Sequence, residues 1–319
     1  MTGSGEGFDV VTFGEAMGSI RSAGLLRHGG AMNMTLAGAE SNVAIGLARL
    51  GHRVRWAGRL GADEVGEFAQ RVLRAEGVDV GAVAIDATRS TGLLLIEKRV
   101  ADLSRVAYYR AGSAGSALDC DDLADSLDAS TRVLHLTGIT PALSDSAAAA
   151  CFWAVHRARD LGVAVSFDVN YRGALWGRPA ASAVLTELAG LATVVFASED
   201  ELSLIASGAD EAESAAMLLA GVAEEVVITR GAAGSSVYSA TGHVAVPARR
   251  VPVVDTIGAG DAFTAGYLSA LLDGASIEER LERGAVLGAF AVSAPGDWEA
   301  LPRRSELTLL DEHAGTTVR

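Results

Sequence analysis

Asp255-Thr256-Ile257-Gly258-Ala259-Gly260-Asp261, running straight into Ala262-Phe263-Thr264-Ala265-Gly266-Tyr267-Leu268-Ser269-Ala270-Leu271-Leu272, is the stretch on which the rest of the chain turns. Its small residues let the backbone curl closely round a ligand. The N–H groups that open the following helix then point at that ligand with the positive end of the helix dipole. Such a turn is an anion hole. A carboxylate at its last position, Asp261, would repel the anion, but it is well placed to take a proton from a hydroxyl attacking a phosphate held there. The same letters also describe a glycine-rich turn with an Asp N-cap, and the surroundings must separate the two readings.

The 319 residues exceed the usual single-domain range of roughly 100–200, though α/β folds of this length are often one domain with an insertion. Half the residues are hydrophobic and only 5% aromatic, so the core is built from Ala, Val and Leu, as in layered α/β proteins. A net charge of −14 and a pI near 4.9 argue against nucleic acid or an anionic membrane as partner. Lys98 is the single lysine. P-loop NTPases and protein kinases set a lysine on the nucleotide phosphates, and neither their motifs nor a Gly-x-Gly-x-x-Gly occurs here. Cys120 and Cys151 lack metal-ligand spacing, read as buried small hydrophobes and fit a reducing cytosol, so a cytoplasmic location is expected. No uncharged apolar run of about 18 residues predicts a membrane span. Residues 1–7 carry no signal-peptide pattern and are expected, like 311–319, to be flexible tails.

Outward from the opening stretch, residues 8–13 predict a strand ending at Gly14-Glu15, and 19–36 loose strands and turns. Residues 38–51 predict a helix, with Val43, Leu47 and Leu50 on one face and Gly51 as C-cap. Asn42 near its start can cap the backbone or reach a ligand hydroxyl. A strand over 54–61 and a helix over 63–76 follow. Residues 91–100 and 105–110 form a second β-rich patch, in which Tyr108 and Arg110 share a face and Tyr109 takes the other. From 133 onward strands (133–137, 163–168, 193–197, 225–229) alternate with helices (144–161, 180–191, 199–206, 212–219). A last strand at 235–238 and a last helix at 277–293 complete the pattern. That alternation means a mostly parallel sheet covered on both faces, with the ligand site past the carboxyl ends of its strands. Those ends carry Asp168-Val169-Asn170-Tyr171-Arg172, Ser198-Glu199-Asp200-Glu201 and Thr229-Arg230-Gly231-Ala232-Ala233-Gly234. His135 and the other five histidines show no paired ligand spacing and read as core or surface residues.

Over nearly its full length the chain resembles the ribokinase-like (PfkB) carbohydrate kinases. Gly38-Ala39-Glu40-Ser41-Asn42-Val43-Ala44 is similar to the family's first signature and residues 255–261 to its second. The strings at 108–118, 137–144, 168–172 with Leu175-Trp176, and 295–299 resemble the 2-keto-3-deoxygluconate kinase branch. The resemblance implies a three-layer α/β/α sandwich with a mostly parallel central sheet and a small β-sheet lid. The core would be 8–15, 37–89 and 113–310 and the lid 16–36 and 90–112, with homo-oligomers assembled through the lids.

It further implies ATP-dependent phosphorylation of the terminal hydroxyl of a sugar acid. Asp261 is then the general base, and the N–H groups of Gly258, Ala259 and Gly260 stabilise charge on the transferring phosphoryl group. Gly38 and Asn42 would hold sugar hydroxyls, and Tyr108, Arg110 and Arg172 the carboxylate and keto end, for which the bidentate fork of arginine is suited. Asn170, Ser198, Thr229, Gly231, Gly234, Gly258 and Gly260 would line the ATP site. Glu201 would orient water around Mg²⁺, and a monovalent cation, potassium, would sit near Asp255 and Ser293. Two positions depart from the pattern: Ser198 stands where many relatives have Asn, and Leu94 where some keto-deoxygluconate kinases place a tyrosine. Fructose or nucleoside phosphorylation, and a catalytically silent sugar-acid binder, are the alternatives.

Overall fold

The computed structural model describes residues 7–98 and 104–311. Its first strand, β1 (Val10–Phe13), is buried at every position, because it is covered on both faces and has no solvent side on which polar residues could alternate. There follow β2 (Met17–Ser22), β3 (Met32–Ala37), α1 (Ala39–Arg49), β4 (Val54–Gly61), α2 (Glu64–Ala75), β5 (Val83–Asp86), β6 (Leu93–Lys98), β7 (Ser104–Tyr109) and the short α3 (Cys120–Leu123). Strand and helix then alternate through β8 (Val133–Thr137), α4 (Asp145–Asp160), β9 (Ala164–Asp168), α5 (Arg178–Ala189), β10 (Val194–Ser198) and α6 (Glu199–Ile205). The chain continues with α7 (Glu211–Leu219), β11 (Glu225–Thr229), the hairpin β12 (Ser235–Ser239) and β13 (Gly242–Val246), α8 (Ala259–Leu272) and α9 (Ile277–Val292).

Two sheets result. The large one has nine strands in the order β13-β12-β11-β10-β9-β8-β1-β4-β5, parallel except where β12 and β13 join antiparallel at one edge. Strand order runs outward from β1 to β5 on one side and from β8 to β11 on the other, so it reverses between β1 and β8. Ligands of open α/β sheets bind near such a reversal, beyond the carboxyl ends of the strands. Val11, Phe13, Leu136, Val165 and Phe167 pack with apolar residues of α3 to α7 on one face. Val10, Trp56, Phe196 and Val227 pack with α1, α2, α8 and α9 on the other. The result is the three layers the strand–helix alternation predicts.

The small sheet has the order β3-β2-β6-β7, with β2 and β6 parallel and the outer pairs antiparallel. Its register places Ser19 opposite Leu94, Arg21 opposite Ile96, Leu94 opposite Tyr108 and Ile96 opposite Val106, all on one face. Ile20, Met34, Leu95, Ala107 and Tyr109 take the other.

Helix starts follow the sequence signals. Asp63 Oδ1 accepts from the Gly66 N–H (2.8 Å), Ser144 Oγ from Ala147 (3.1 Å), and Ser276 forms a capping box with Glu279; a cap of this kind contributes about 1 kcal/mol. The 19–36 stretch holds two regular six-residue strands rather than loose ones. Sequence reading found neither β5 nor β13, short edge strands with half-exposed or exposed residues and little periodicity to detect. Cys120 is half-buried, not buried. His135 is buried, shares a hydrogen bond with Ser166 Oγ (3.0 Å), and is pushed down to about 3 by burial, as a core histidine should be. Apart from Gly7 and Asp311, the expected tails lie outside the described residues. Among the described residues no helix is long and apolar enough to cross a membrane.

Candidate active site

Gly258 is the N-cap of α8, at φ +76°. A Cβ there would lie 2.1 Å from the Asp297 carbonyl oxygen, so both the backbone angle and the close approach demand glycine. Gly260 is different, since a Cβ at that position would meet open space. Ile257 N–H donates to Asp255 Oδ1 (3.1 Å) and Ala259 N–H to the Thr256 carbonyl (3.4 Å). Among the described residues the N–H groups of Gly258, Gly260 and Asp261 meet no protein acceptor. Three unused donors at a helix start can take an anion, but they are not the expected set: Ala259 N–H is spent on Thr256, and Asp261 N–H is free in its place.

Asp261 is the third residue of α8, so it is not the N-cap. Its carboxylate is buried and bracketed: Asn42 Nδ2 donates to Oδ2 (2.7 Å) and Asn170 Nδ2 to Oδ1 (3.3 Å). Burial pushes the Asp261 carboxyl above the ordinary range, while the Asn42 amide, the nearby Arg172 charge and the Asn170 amide pull it back. Asn42 likewise does not cap, because Gly38 caps α1 and Asn42 lies inside the first turn. The Oδ1 atoms of Asn42 and Asn170 are buried without a hydrogen-bond partner among the described residues. Leaving such acceptors unpaired is costly, and hydroxyl donors of a ligand would satisfy them. Asn170 also sits at φ +36°, the one positive φ outside glycine among the described residues, a strained conformation of the sort found at ligand sites.

Asp261, Asn170 and the start of α8 border a cleft of about 510 Å³ between the two sheets. Asp168, Asn170, Ser198 and Thr229, at or just beyond the ends of β9, β10 and β11, line one side, and Leu94, Ile96, Val106 and Tyr108 of the small sheet line the other. Gly258, Ala259, Gly260, Asp261, Arg172, Glu201 and Asp297 also line it. Of the residues singled out from sequence, Gly38, Asn42, Arg110, Gly231, Gly234, Asp255 and Ser293 do not line this cleft, though Asn42 reaches it through its hydrogen bond to Asp261.

Gly38, at φ +152°, has Glu15 O where a Cβ would go (2.4 Å), and Gly234 has Val246 O there (2.2 Å), so both answer a packing demand. Arg110 pairs with the buried Glu15 carboxylate (2.5 Å) and lies over the Tyr108 ring. Arg172 is exposed at the cleft and, among the described residues, carries no salt bridge. Asp255 Oδ2 pairs with Arg21 (2.9 Å), and Ser293 Oγ donates to the Ala289 carbonyl (2.6 Å). A guanidinium therefore stands against the carboxylate expected to face a monovalent ion.

Glu201 closes a capping box with Ser198, accepting from its N–H (2.9 Å) and Oγ (2.8 Å), and takes the Tyr171 N–H on its other oxygen (2.6 Å). Its capping role leaves it on the cleft wall. Asp168, which the sequence marked only as part of a polar strand end, is pushed well up by burial and by the charges of Glu201 and Asp261. Among the described residues no three carboxylate, histidine or cysteine side chains stand together so as to hold a metal ion; a divalent cation arriving with a nucleotide would keep mostly phosphate and water ligands, and the free N–H groups suit the phosphates. Arg21 was missed altogether, and Asp297 was marked only as part of the 295–299 string, with no role. The signal for Arg21 was its alternation with Met17 and Ser19, visible only once 17–22 is known to be a strand.

The model of the pfkB family of carbohydrate kinases matches residues 8–304. The chain is 38% identical over 304 residues to a 2-dehydro-3-deoxygluconokinase of Bacillus subtilis, covering 94% of each protein. It is 35% identical to a protein of the same name from Thermoproteus tenax, over 93% of this chain and 92% of that one. A crystal structure of a PfkB protein from Polaromonas sp. JS666 superposes with a TM-score of 0.86 at 38% identity, covering 95% of this chain and 99% of that one. With the match spanning both sheets and the cleft between them, this chain belongs to the pfkB family of carbohydrate kinases.

Proposed function

We propose that this kinase transfers the γ-phosphoryl group of ATP to the C6 hydroxyl of 2-keto-3-deoxygluconate, giving the 6-phosphate. The observation that carries this reading is Asp261, a buried carboxylate held by two amides in the first turn of a helix, beside the unused N–H groups of Gly258, Gly260 and Asp261 itself. Asp261 takes the proton of the attacking hydroxyl, which Asn42 and Asn170 help to orient through their unpaired carbonyl oxygens. The N–H groups of Gly258, Gly260 and Asp261 take up charge on the phosphoryl oxygens. The nucleotide lies along Asn170, Ser198 and Thr229, toward Gly231. Asp168 and Glu201 would stand beside a Mg²⁺ carried in on the nucleotide, which would supply positive charge to the phosphates.

Arg172, exposed at the cleft without a salt bridge, receives the substrate carboxylate, with Tyr108 beside it. Sequence similarity to proteins named 2-dehydro-3-deoxygluconokinase supports the same substrate. The two unpaired cysteines and the use of ATP suit work in the cytosol. Copies would associate through the outer face of the small sheet.

One observation favours a second reading. Arg110 is tied to Glu15, which leaves a single arginine for an anionic substrate and makes a neutral hexose such as fructose the alternative acceptor. The test is ADP release with ATP, Mg²⁺ and a panel of 2-keto-3-deoxygluconate, its galactonate epimer, fructose, ribose and adenosine, for wild type and Arg172→Met. Turnover of the keto-deoxy acids, with KM raised at least ~10-fold in the variant for loss of a charged hydrogen bond, is the expected result. Preference for fructose, unaffected by Arg172→Met, discards the carboxylate assignment. No turnover with any acceptor discards the reaction.

A further inference from the structure

Arg21, near the end of β2, stands on the cleft face of the small sheet opposite Ile96. Its two terminal nitrogens go to different carboxylates from distant segments: Nη1 to Asp255 Oδ2 (2.9 Å) and Nη2 to Asp297 Oδ1 (2.5 Å). Both partners hold the anion-binding loop directly. Asp255 opens that loop and accepts the Ile257 N–H on its other oxygen, and the carbonyl of Asp297 lies against Gly258 so closely that a Cβ there would have no room. The three side chains are only 16%, 17% and 8% exposed, so solvent screens their attraction far less than it would a surface pair. Without the guanidinium, two carboxylates would stand beside a loop whose task is to attract phosphate.

We propose that Arg21 is a positioning residue that fixes the 255–261 loop to the small sheet, so that the loop takes its working geometry only with that sheet seated over the cleft. Arg21 touches none of the reacting groups. It acts through Asp255 and Asp297, cancelling their charge and setting where the N–H groups of Gly258 and Gly260 point. The assignment rests on the kinase reading for its catalytic consequence, but not for its structural one.

The test uses the full chain with Arg21→Met and Arg21→Gly, and two kinds of readout. The first is steady-state kinetics with ATP, Mg²⁺ and 2-keto-3-deoxygluconate, or fructose if the acid is not turned over. The second is amide hydrogen exchange of the ligand-free protein. In Arg21→Met, kcat is expected to fall about 10²-fold, the scale of an ångström-sized misplacement, with KM for the sugar changed less than about threefold. Exchange should quicken at 256–261 and not across the large sheet. Millimolar guanidinium should restore part of the activity of Arg21→Gly. An unchanged kcat overturns the proposal whatever the exchange shows. So does a loss of kcat accompanied by faster exchange throughout the chain and no rescue by guanidinium, which marks a general folding defect. Should the wild type turn over no acceptor, the kinase reading falls by itself, and the exchange arm still decides: local quickening keeps the latch, and unchanged or global exchange removes it.

Discussion

At the scale of single residues, the site depends on how Asp261 is held. Burial raises its pKa, and the Asn42 amide, Arg172 and the Asn170 amide lower it. In the proposed mechanism Asp261 is the base, and a base works only when deprotonated, so kcat/KM is expected to fall as pH drops through that pKa. Removing the Asn42 donor leaves burial less opposed and raises the pKa further. Asn42→Ala is therefore expected to lose more activity on the acid side than on the alkaline side, its acid limb displaced to higher pH in a full pH profile of kcat/KM. A profile parallel to the wild type's at all pH would mean that Asn42 does not act through Asp261. Asp261 and Asn42 were both legible in the sequence, although an Asn near a helix start could equally have been a cap, and only the fold shows that Gly38 has that position. Arg110 was the less legible residue. Its partner Glu15 follows β1, far from β7 along the chain, and nothing local to Arg110 announces that buried carboxylate.

At the scale of elements, the start of α8 separates two glycines that look alike in the string Gly258-Ala259-Gly260. Gly258 answers to the protein: its left-handed φ and its contact with Asp297 leave no room for a side chain. Gly260 answers to nothing in the chain, since open space lies where its Cβ would be. An Ala at 260 replaces a poor helix former with the best one, a gain of up to ~1 kcal/mol, yet places a methyl group where the proposed mechanism brings a phosphate. Gly260→Ala is thus expected to keep or slightly raise the melting temperature while kcat/KM falls at least ~10-fold. Gly258→Ala should lose at least ~1–3 kcal/mol of stability from the backbone strain alone. Melting curves beside ADP-release assays check both; normal turnover in Gly260→Ala would remove the anion from the space in front of that residue. Glycine spacing alone could not have made this division. The alternating helices and strands from 133 onward were readable because their period is long and their caps are polar, whereas β5 and β13 had four or five residues at an exposed edge and no such signal.

At the scale of the whole molecule, the small sheet has one face over the cleft and another turned away from it. The face turned away carries Ile20, Met34, Leu95, Ala107 and Tyr109 in register across four strands, with Met34 42% and Tyr109 62% exposed. A row of apolar side chains on the outside of a chain of net charge −14 needs a reason, because like-charged copies repel and only buried apolar area offsets that repulsion. The same face on a second copy is the simplest cover, since a two-fold axis pairs a patch with itself. Wild-type protein at micromolar concentration is therefore expected to sediment as a dimer or larger. Met34→Glu, which sets two carboxylates against each other across the axis, should shift it to monomer. Met34 belongs to the face that does not border the cleft, and every side chain assigned to the reaction comes from one chain, so the monomer should retain ADP release. A wild type that sediments as a monomer, or a Met34→Glu variant that stays assembled, removes the small sheet as the contact. A monomer that forms but has lost its turnover would instead mean that the sheet needs its neighbour to stay seated on the 255–261 loop, which ties assembly to the same strap that Arg21 provides.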